Sequence, residues 1–202
     1  MIDDSIRRLI DPPLARAGEL IAASGIGADG ITIGGCLLGL AAALAAALGQ
    51  FYIALTLLIA NRVADGLDGA VARATRRTDR GAFLDIVLDF LVYATMPLGF
   101  AIWSPDTNAL PAAVLLASFV ANGSAFLGFS IMAERRGMTT TRQGQKSIYY
   151  LAGLAEGFET VAFMSAFCLF PGTFPILAII FATLCWISAV GRLLLGWKLL
   201  AA

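Results

Sequence analysis

Four aspartates, Asp65, Asp68, Asp85 and Asp89, stand inside segments that are otherwise almost wholly apolar. The first two are i,i+3 and the last two i,i+4, so on helices each pair shares one face. If the two segments are antiparallel neighbours joined by residues 75–81, the depths of the pairs agree. At about 1.5 Å of rise per residue, Asp65 lies roughly 21 Å below the outer end of its helix and Asp89 about 12 Å up from Gly81. All four carboxylates can then face one small volume. Ionised together in a low-dielectric setting they would repel one another and be costly to desolvate, and divalent cations resolve both problems. Oxygen donors without thiolate or imidazole suit Mg²⁺ or Mn²⁺, and two ions bridged by shared aspartates would balance the charge. A solvated helix end is the simpler alternative, but ionisable residues within a membrane segment are functional by default.

The residues between the acids narrow the chemistry. The chain reads Asp65-Gly-Leu-Asp68-Gly69-Ala-Val-Ala72-Arg73, then Gly81-Ala-Phe-Leu-Asp85-Ile-Val-Leu-Asp89. This resembles the signature of the CDP-alcohol phosphatidyltransferases, D-x2-D-G-x2-A-R, a gap, then G-x3-D-x3-D, with every fixed position matched. The resemblance implies transfer of a phosphatidyl group from CDP-diacylglycerol to an alcohol, with release of CMP. It implies that Asp65, Asp68 and Asp85 ligate metal, and that Asp89 is a ligand that also accepts the hydroxyl proton. Gly69 would let the nucleotide approach the helix backbone, although close helix packing explains it too. Arg73 offers a planar fork suited to phosphate. Thr78, seven residues before Asp85, stands where family members place a hydroxyl against the nucleotide, and Gly81 allows close helix approach. Asp29-Gly-Ile-Thr32 resembles a nucleotide-contacting segment that commonly begins with asparagine. The aspartate departs from that pattern, and the same residues would serve as a helix N-cap. Lys146 to Tyr150 and Glu156 to Thr160 look like those of a small bacterial inner-membrane subgroup. A homodimer is implied by the resemblance alone.

For the acceptor the residues leave alternatives open. Glu156 and Glu159 lie about 12–17 Å into their segment, near the depth of Asp89. They can bind a cationic or polyhydroxyl acceptor, or pair structurally with Arg192 or Arg62. Family members with a phosphorylated acceptor carry basic residues near the fourth-to-fifth span loop and in the last span, parts that the resemblance offers to Arg135, Lys146 and Arg192, but topology explains the first two equally well.

Elements that position these residues follow from composition. Of 202 residues 59% are hydrophobic and only 14% charged, with a mean hydropathy of +0.83. A soluble domain carries about 25% charge, so this is the composition of an integral membrane protein. About 20 apolar residues cross the hydrocarbon, and the segments 30–49, 51–74, 82–103, 109–133, 148–170 and 174–199 qualify. The expected fold is all-α and integral to the membrane, a single domain over 1–202 with six transmembrane helices in 29–202. Residues 1–28 are amphipathic and interrupted at Pro12-Pro13, and are expected as a helical segment in the membrane interface. Dense small residues, with 21 glycines, let such helices pack closely.

Orientation follows from the bases. The turns at 49–50, 104–108 and 170–174 contain no lysine or arginine, while Arg7, Arg8, Arg16, Arg73, Arg76, Arg77, Arg80, Arg135, Arg136, Arg142 and Lys146 occupy the opposite face. By the positive-inside bias both termini and the carboxylate site face the cytoplasm, and the resemblance to the bacterial subgroup implies a bacterial cytoplasmic membrane. Histidine is absent, which excludes imidazole-based catalysis and ligation. Fourteen bases against fourteen acids leave no excess with which to bind nucleic acid. Cys36, Cys168 and Cys185, far apart in apolar runs, read as small buried hydrophobes.

Two other activities compete. A variant of the same family chemistry joins a soluble CDP-alcohol of the choline or ethanolamine type to diacylglycerol, and the signature grips the CDP part in both cases. A divalent-cation transporter is the alternative of another class. Against it, the acids cluster toward one face, and nothing polar continues the route through the outer half of the second and third spans.

Overall fold

The computed structural model describes residues 2–137 and 157–200, and among these every regular element is helical. Helices α1 (Ile2–Ala23), α2 (Ala28–Ala47), α3 (Phe51–Ala74) and α4 (Asp79–Trp103) belong to one compact unit. A second unit contains α5 (Pro105–Arg135), α6 (Gly157–Leu169), a 3₁₀ turn at Pro171–Thr173 and α7 (Phe174–Leu199). Among the described residues, α2, α4, α5 and Pro171–Leu199 are long and apolar enough to cross a membrane. The expected span α3 has 24 residues, but Arg62, Asp65, Asp68 and Arg73 make it the more polar helix. Of the expected span 148–170, the described part is α6, with 13 residues.

In the first unit α2 is the central element. It packs against both α3 and α4, and α1 packs against α3, whereas α3 and α4 make no comparably close backbone approach to each other. The small residues of α2 explain its position. Ala42 and Ala46 are 0% exposed, while Leu44 between them is 62% exposed. Small side chains inside and large apolar ones outside are what helices surrounded by lipid tails require. Contact is close enough that a methyl group on Gly39 would overlap Val92 of α4, and one on Gly99 of α4 would strike the Ala43 backbone carbonyl. On the α3 side the fit is looser, a methyl on Gly35 standing 3.1 Å from the Ala64 methyl.

The turn from α2 to α3 is fixed by Gly49, with φ of +74°. The Gly49 amide donates to the Ala46 carbonyl at 3.0 Å and the Gln50 amide to Ala45 at 2.8 Å, the paired closure that a left-handed glycine permits at a helix end. Nearby, Phe51 stacks on Phe100 at 5.6 Å between ring centres and meets Trp103 edge-on at 4.7 Å. In the second unit an aromatic cluster joins the helices: Phe163 of α6 stacks on Phe181 of α7 at 4.5 Å, and Phe119 of α5 meets Phe181 at 5.4 Å. The three cysteines are buried and free.

The N-terminal segment differs from expectation. It is one continuous helix that contains both Pro12 and Pro13. Proline removes its own N–H bond, but its fixed φ is itself helical, so neighbouring residues can retain helical backbone. The start of α2 differs as well. Gly27 is the N-cap and makes no side-chain capping bond, so Asp29 sits two residues past the cap position, inside the first turn.

The packing predicts that Gly99→Ala lowers the thermal unfolding midpoint in detergent, overpacking costing about 1–3 kcal/mol. Gly34→Ala, with nothing within 4 Å of the added methyl, should leave the midpoint unchanged or raise it. Equal effects would mean that the α2–α4 contact is not set by this clearance.

Candidate metal and nucleotide site

Helices α3 and α4 face each other across a gap with α2 behind it, and the polar residues of all three converge there. Asp65 and Asp68 come from α3 and Asp85 from α4, and one carboxylate oxygen of each lies within 4.8 Å of the others. They differ in exposure: Asp65 is half-buried, Asp68 buried and Asp85 exposed. The Asp68 Oδ2 atom is buried with no hydrogen-bond partner. A buried carboxylate oxygen without a donor is a substantial desolvation cost. A cation would remove that cost, and three hard oxygen donors at this separation fit a divalent ion. The cavity they border, about 10 Å³, is also lined by Thr32, Gly35, Cys36, Asn61 and Asp89.

Asp89 lies on this cavity, but both its oxygens are already bonded. Arg62 Nη2 donates to Oδ1 at 2.8 Å, and the Tyr93 hydroxyl donates to Oδ2 at 3.2 Å. Arg62 Nη1 donates in turn to the Tyr93 oxygen at 3.0 Å, with the guanidinium 5.4 Å from the Tyr93 ring centre. A longer contact of 3.7 Å joins Arg62 Nη1 to Asp65 Oδ2. The Arg62 Nε donates to Asn61 Oδ1 at 2.8 Å, and Asn61 Nδ2 donates to the Gly35 carbonyl of α2, also at 2.8 Å. One network therefore links three helices. Arg62 thus pairs with Asp89 and, at longer range, with Asp65.

Beside the carboxylates opens a larger cavity of about 270 Å³, bordered by Asp29, Thr32, Asp68, Gly69, Arg73, Thr78, Gly81 and Asp85. All six residues expected to contact a CDP-lipid thus line one space. Gly69 leaves room beside Arg73: an added methyl would stand 3.3 Å from Arg73 Nη1. The Thr78 oxygen accepts the Gly81 amide at 3.0 Å, which caps α4 while the hydroxyl remains on the cavity wall. The Asp29 Oδ2 atom accepts from Arg80 Nε at 2.7 Å, so the carboxylate that replaces the expected asparagine carries its own counter-charge. Arg76 and Arg77 also line this cavity. Sequence reasoning assigned those two only to membrane orientation, and it singled out neither Asn61 nor Tyr93. The available signal for the network was Arg62 itself, a cation within a membrane segment one turn before Asp65.

Arg135, Glu159 and Arg192 belong to the second unit, and Lys146 and Glu156 lie outside the described residues. Arg192 Nη1 donates to Asn122 Oδ1 at 2.9 Å, and its guanidinium lies 5.2 Å from the Phe126 ring centre. It borders a mainly apolar cavity of about 490 Å³ with Ser124, Gly128, Gly196 and Trp197.

Comparison with known proteins gives concordant matches. The family model for CDP-alcohol phosphatidyltransferase matches residues 26–197. The chain is 41% identical over 197 residues to the inner membrane protein YnjF of Escherichia coli, covering 98% of this chain and 96% of that protein. It is 37% identical over 98 residues to an archaetidylinositol phosphate synthase of Pyrococcus horikoshii, covering 48% and 52% of the two chains. Among solved structures, the phosphatidylinositol phosphate synthase PgsA1 of Mycobacterium tuberculosis with CDP-DAG bound shares the fold. Its TM-score is 0.70 at 19% identity, covering 92% of this chain and 94% of that one.

If the three carboxylates are the cation seat, Asp68→Asn should lower Mn²⁺ affinity about tenfold or more, read by the loss of free-ion signal in electron paramagnetic resonance of the purified protein. Unchanged affinity would remove this group as the seat.

Proposed function

The chain belongs to the CDP-alcohol phosphatidyltransferase family, and from that premise we propose that it moves a phosphatidyl group from CDP-diacylglycerol to an alcohol, releasing CMP. The observation that carries this reading is the adjacency of the two spaces. Asp68 and Asp85, which form one acid cluster with Asp65, also border the cavity lined by Gly69, Arg73, Thr78 and Gly81. A pyrophosphate needs such a pairing of oxygen ligands with a guanidinium fork.

In the reaction, the acceptor oxygen bonds to the phosphorus that carries diacylglycerol. The bond from that phosphorus to the bridging oxygen breaks, and CMP leaves. Arg73, with Arg76 and Arg77 on the same wall, binds phosphate oxygens and orients the donor. Gly69 gives the nucleotide access to the α3 backbone, and Asp29, Thr32, Thr78 and Gly81 shape its pocket. Asp89 accepts the hydroxyl proton, and in a chain without histidine that work falls to a carboxylate. Asp65, Asp68 and Asp85 would hold Mg²⁺ or Mn²⁺, with two ions at full occupancy if Asp89 joins as a ligand. Bound there, the cation would neutralise pyrophosphate charge and acidify the acceptor hydroxyl.

The Escherichia coli relative, an inner membrane protein, supports a bacterial cytoplasmic membrane, and the positive-inside pattern supports both termini and the site on its cytoplasmic side. The full reading takes the chain as one six-span domain with an interfacial N-terminal helix, acting as a homodimer. A match that runs through both compact units supports the single domain. The acceptor contacts proposed for Arg135, Lys146, Glu156, Glu159 and Arg192 rest on residue type. The names of two relatives put a phosphorylated inositol first among acceptors to test.

The test is CMP release from CDP-diacylglycerol with Mg²⁺ or Mn²⁺ against inositol 1-phosphate, glycerol 3-phosphate, serine and choline. CDP-choline and CDP-ethanolamine with diacylglycerol form the second arm, and release only there would reverse donor and acceptor. Metal flux into proteoliposomes with no CMP from any donor would support a transporter. Asp89→Asn should abolish release while the folded protein remains in the membrane, and full activity would sink its role as base. Arg73→Ala should raise the KM for CDP-diacylglycerol by about tenfold or more, as loss of a charged hydrogen bond does, and an unchanged KM would remove Arg73 from the donor site.

A further inference from the structure

Two walls of the larger cavity come from helix starts: Asp29 and Thr32 from α2, Thr78 and Gly81 from the start of α4. An ion pair joins these two starts. Arg80 Nε and Nη2 both donate to the same Asp29 oxygen, Oδ2, at 2.7 and 2.5 Å. The other oxygen, Oδ1, faces Gly81, where an added methyl would stand 3.2 Å from it. We propose that Asp29 and Arg80 are one positioning pair, which holds the start of α4 against the start of α2 and so fixes the width of the donor cavity between them. This deepens the donor site of the reading above and rests on it. It also gives the aspartate at position 29 a task that asparagine would perform less well, since asparagine lacks the charge that pairs with a guanidinium.

Farther along, α2 and α4 are held together by close steric contact, at Gly39 with Val92 and at Ala43 with Gly99. Asp29 precedes Gly39 by about 15 Å of helix, so those contacts leave the two starts able to splay unless something joins them. Arg80 stands in the first turn of α4, where a cation meets the positive end of the helix dipole. Asp29 offsets that cost, and it stands favourably in the first turn of α2. The connection from α3 is anchored on both sides of Arg76 and Arg77. The Thr75 amide and hydroxyl donate to the Val71 carbonyl at 2.9 and 2.8 Å, and the Thr78 oxygen accepts the Gly81 amide at 3.0 Å. A shift of the α4 start would therefore carry Thr78 with it and draw Arg76 and Arg77 from the cavity wall. Arg80 is 79% exposed against 25% for Asp29, and Asp29 is the member of the pair that borders the cavity. Arg80 thus acts through Asp29 rather than on the donor.

Two readouts test the proposal. In the transferase assay, Asp29→Asn and Arg80→Gln should each raise the KM for CDP-diacylglycerol by about threefold, the scale open to a partly exposed ion pair. The double variant should raise it no further, because either change breaks the same pair. In Arg80→Gln, kcat should stay within about twofold. A pair that acted only through its field on the pyrophosphate would give opposite signs, Asp29→Asn lowering the KM and Arg80→Gln raising it. An Asp29 that only touched the nucleotide would leave Arg80→Gln without effect. Either pattern overturns the proposal. The second readout is amide hydrogen exchange over residues 75–85 of the substrate-free protein, which needs no turnover. Each single variant should speed exchange there about threefold, with no further gain in the double variant. Unchanged exchange in Arg80→Gln overturns the proposal whatever the KM does. A wild-type protein that releases no CMP with any acceptor strikes the transferase reading, and the effect on the donor falls with it. The exchange comparison then still decides whether the pair joins the two helix starts.

Discussion

A carboxylate carried into the membrane region of a helix loses much of the solvation that made it stable as an ion, and this chain carries four of them to one place. The buried Asp68 oxygen without a donor shows the cost directly. Two kinds of positive charge can meet it. The chain supplies one itself, at Arg62, and spends it on Asp89. The other three carboxylates each place an oxygen within 4.8 Å of the others, close enough to share a divalent ion. The glycine and alanine contacts of α2 serve the same end, since only narrow side chains let two acid-bearing helices lean on a common support.

The basic residues of the first unit have two tasks. Arg73, Arg76 and Arg77 follow the bias that orients membrane proteins, yet the structure also sets them on the wall of the cavity beside the carboxylates. The end of α3 and the short connection to α4 thus carry the bases expected to orient the chain and also line the cavity beside the carboxylates. Arg80 is different: it is mostly exposed, and its partner is Asp29 at the start of α2.

The carboxylate spacing and the signature were legible before any coordinates, because they are written within single helices at intervals of three and four residues. Helix limits were legible where composition changes abruptly, as at Gly49-Gln50 and Phe51–Ala74. The network around Arg62 was not, since its bond to Asp89 crosses 27 residues and that of Asn61 to Gly35 crosses 26. The Asp29–Arg80 pair, 51 residues apart, escaped for the same reason. One-helix periodicity tells which face a residue occupies but not which residue of another helix will meet it. The Pro12-Pro13 pair misled in the opposite way, because proline weakens a helix at a point without stating whether the chain must leave it.

The third side of the gap between α3 and α4 has a further meaning. Since both helices rest on α2, the separation of the chemical groups is measured off along α2 by the clearances at Gly35, Gly39 and Ala43. None of these residues bears a reactive atom, yet together they act as a gauge for the width of the site. A change of side-chain size at any of them would therefore alter the spacing of the acids on α3 and α4 without replacing a single one.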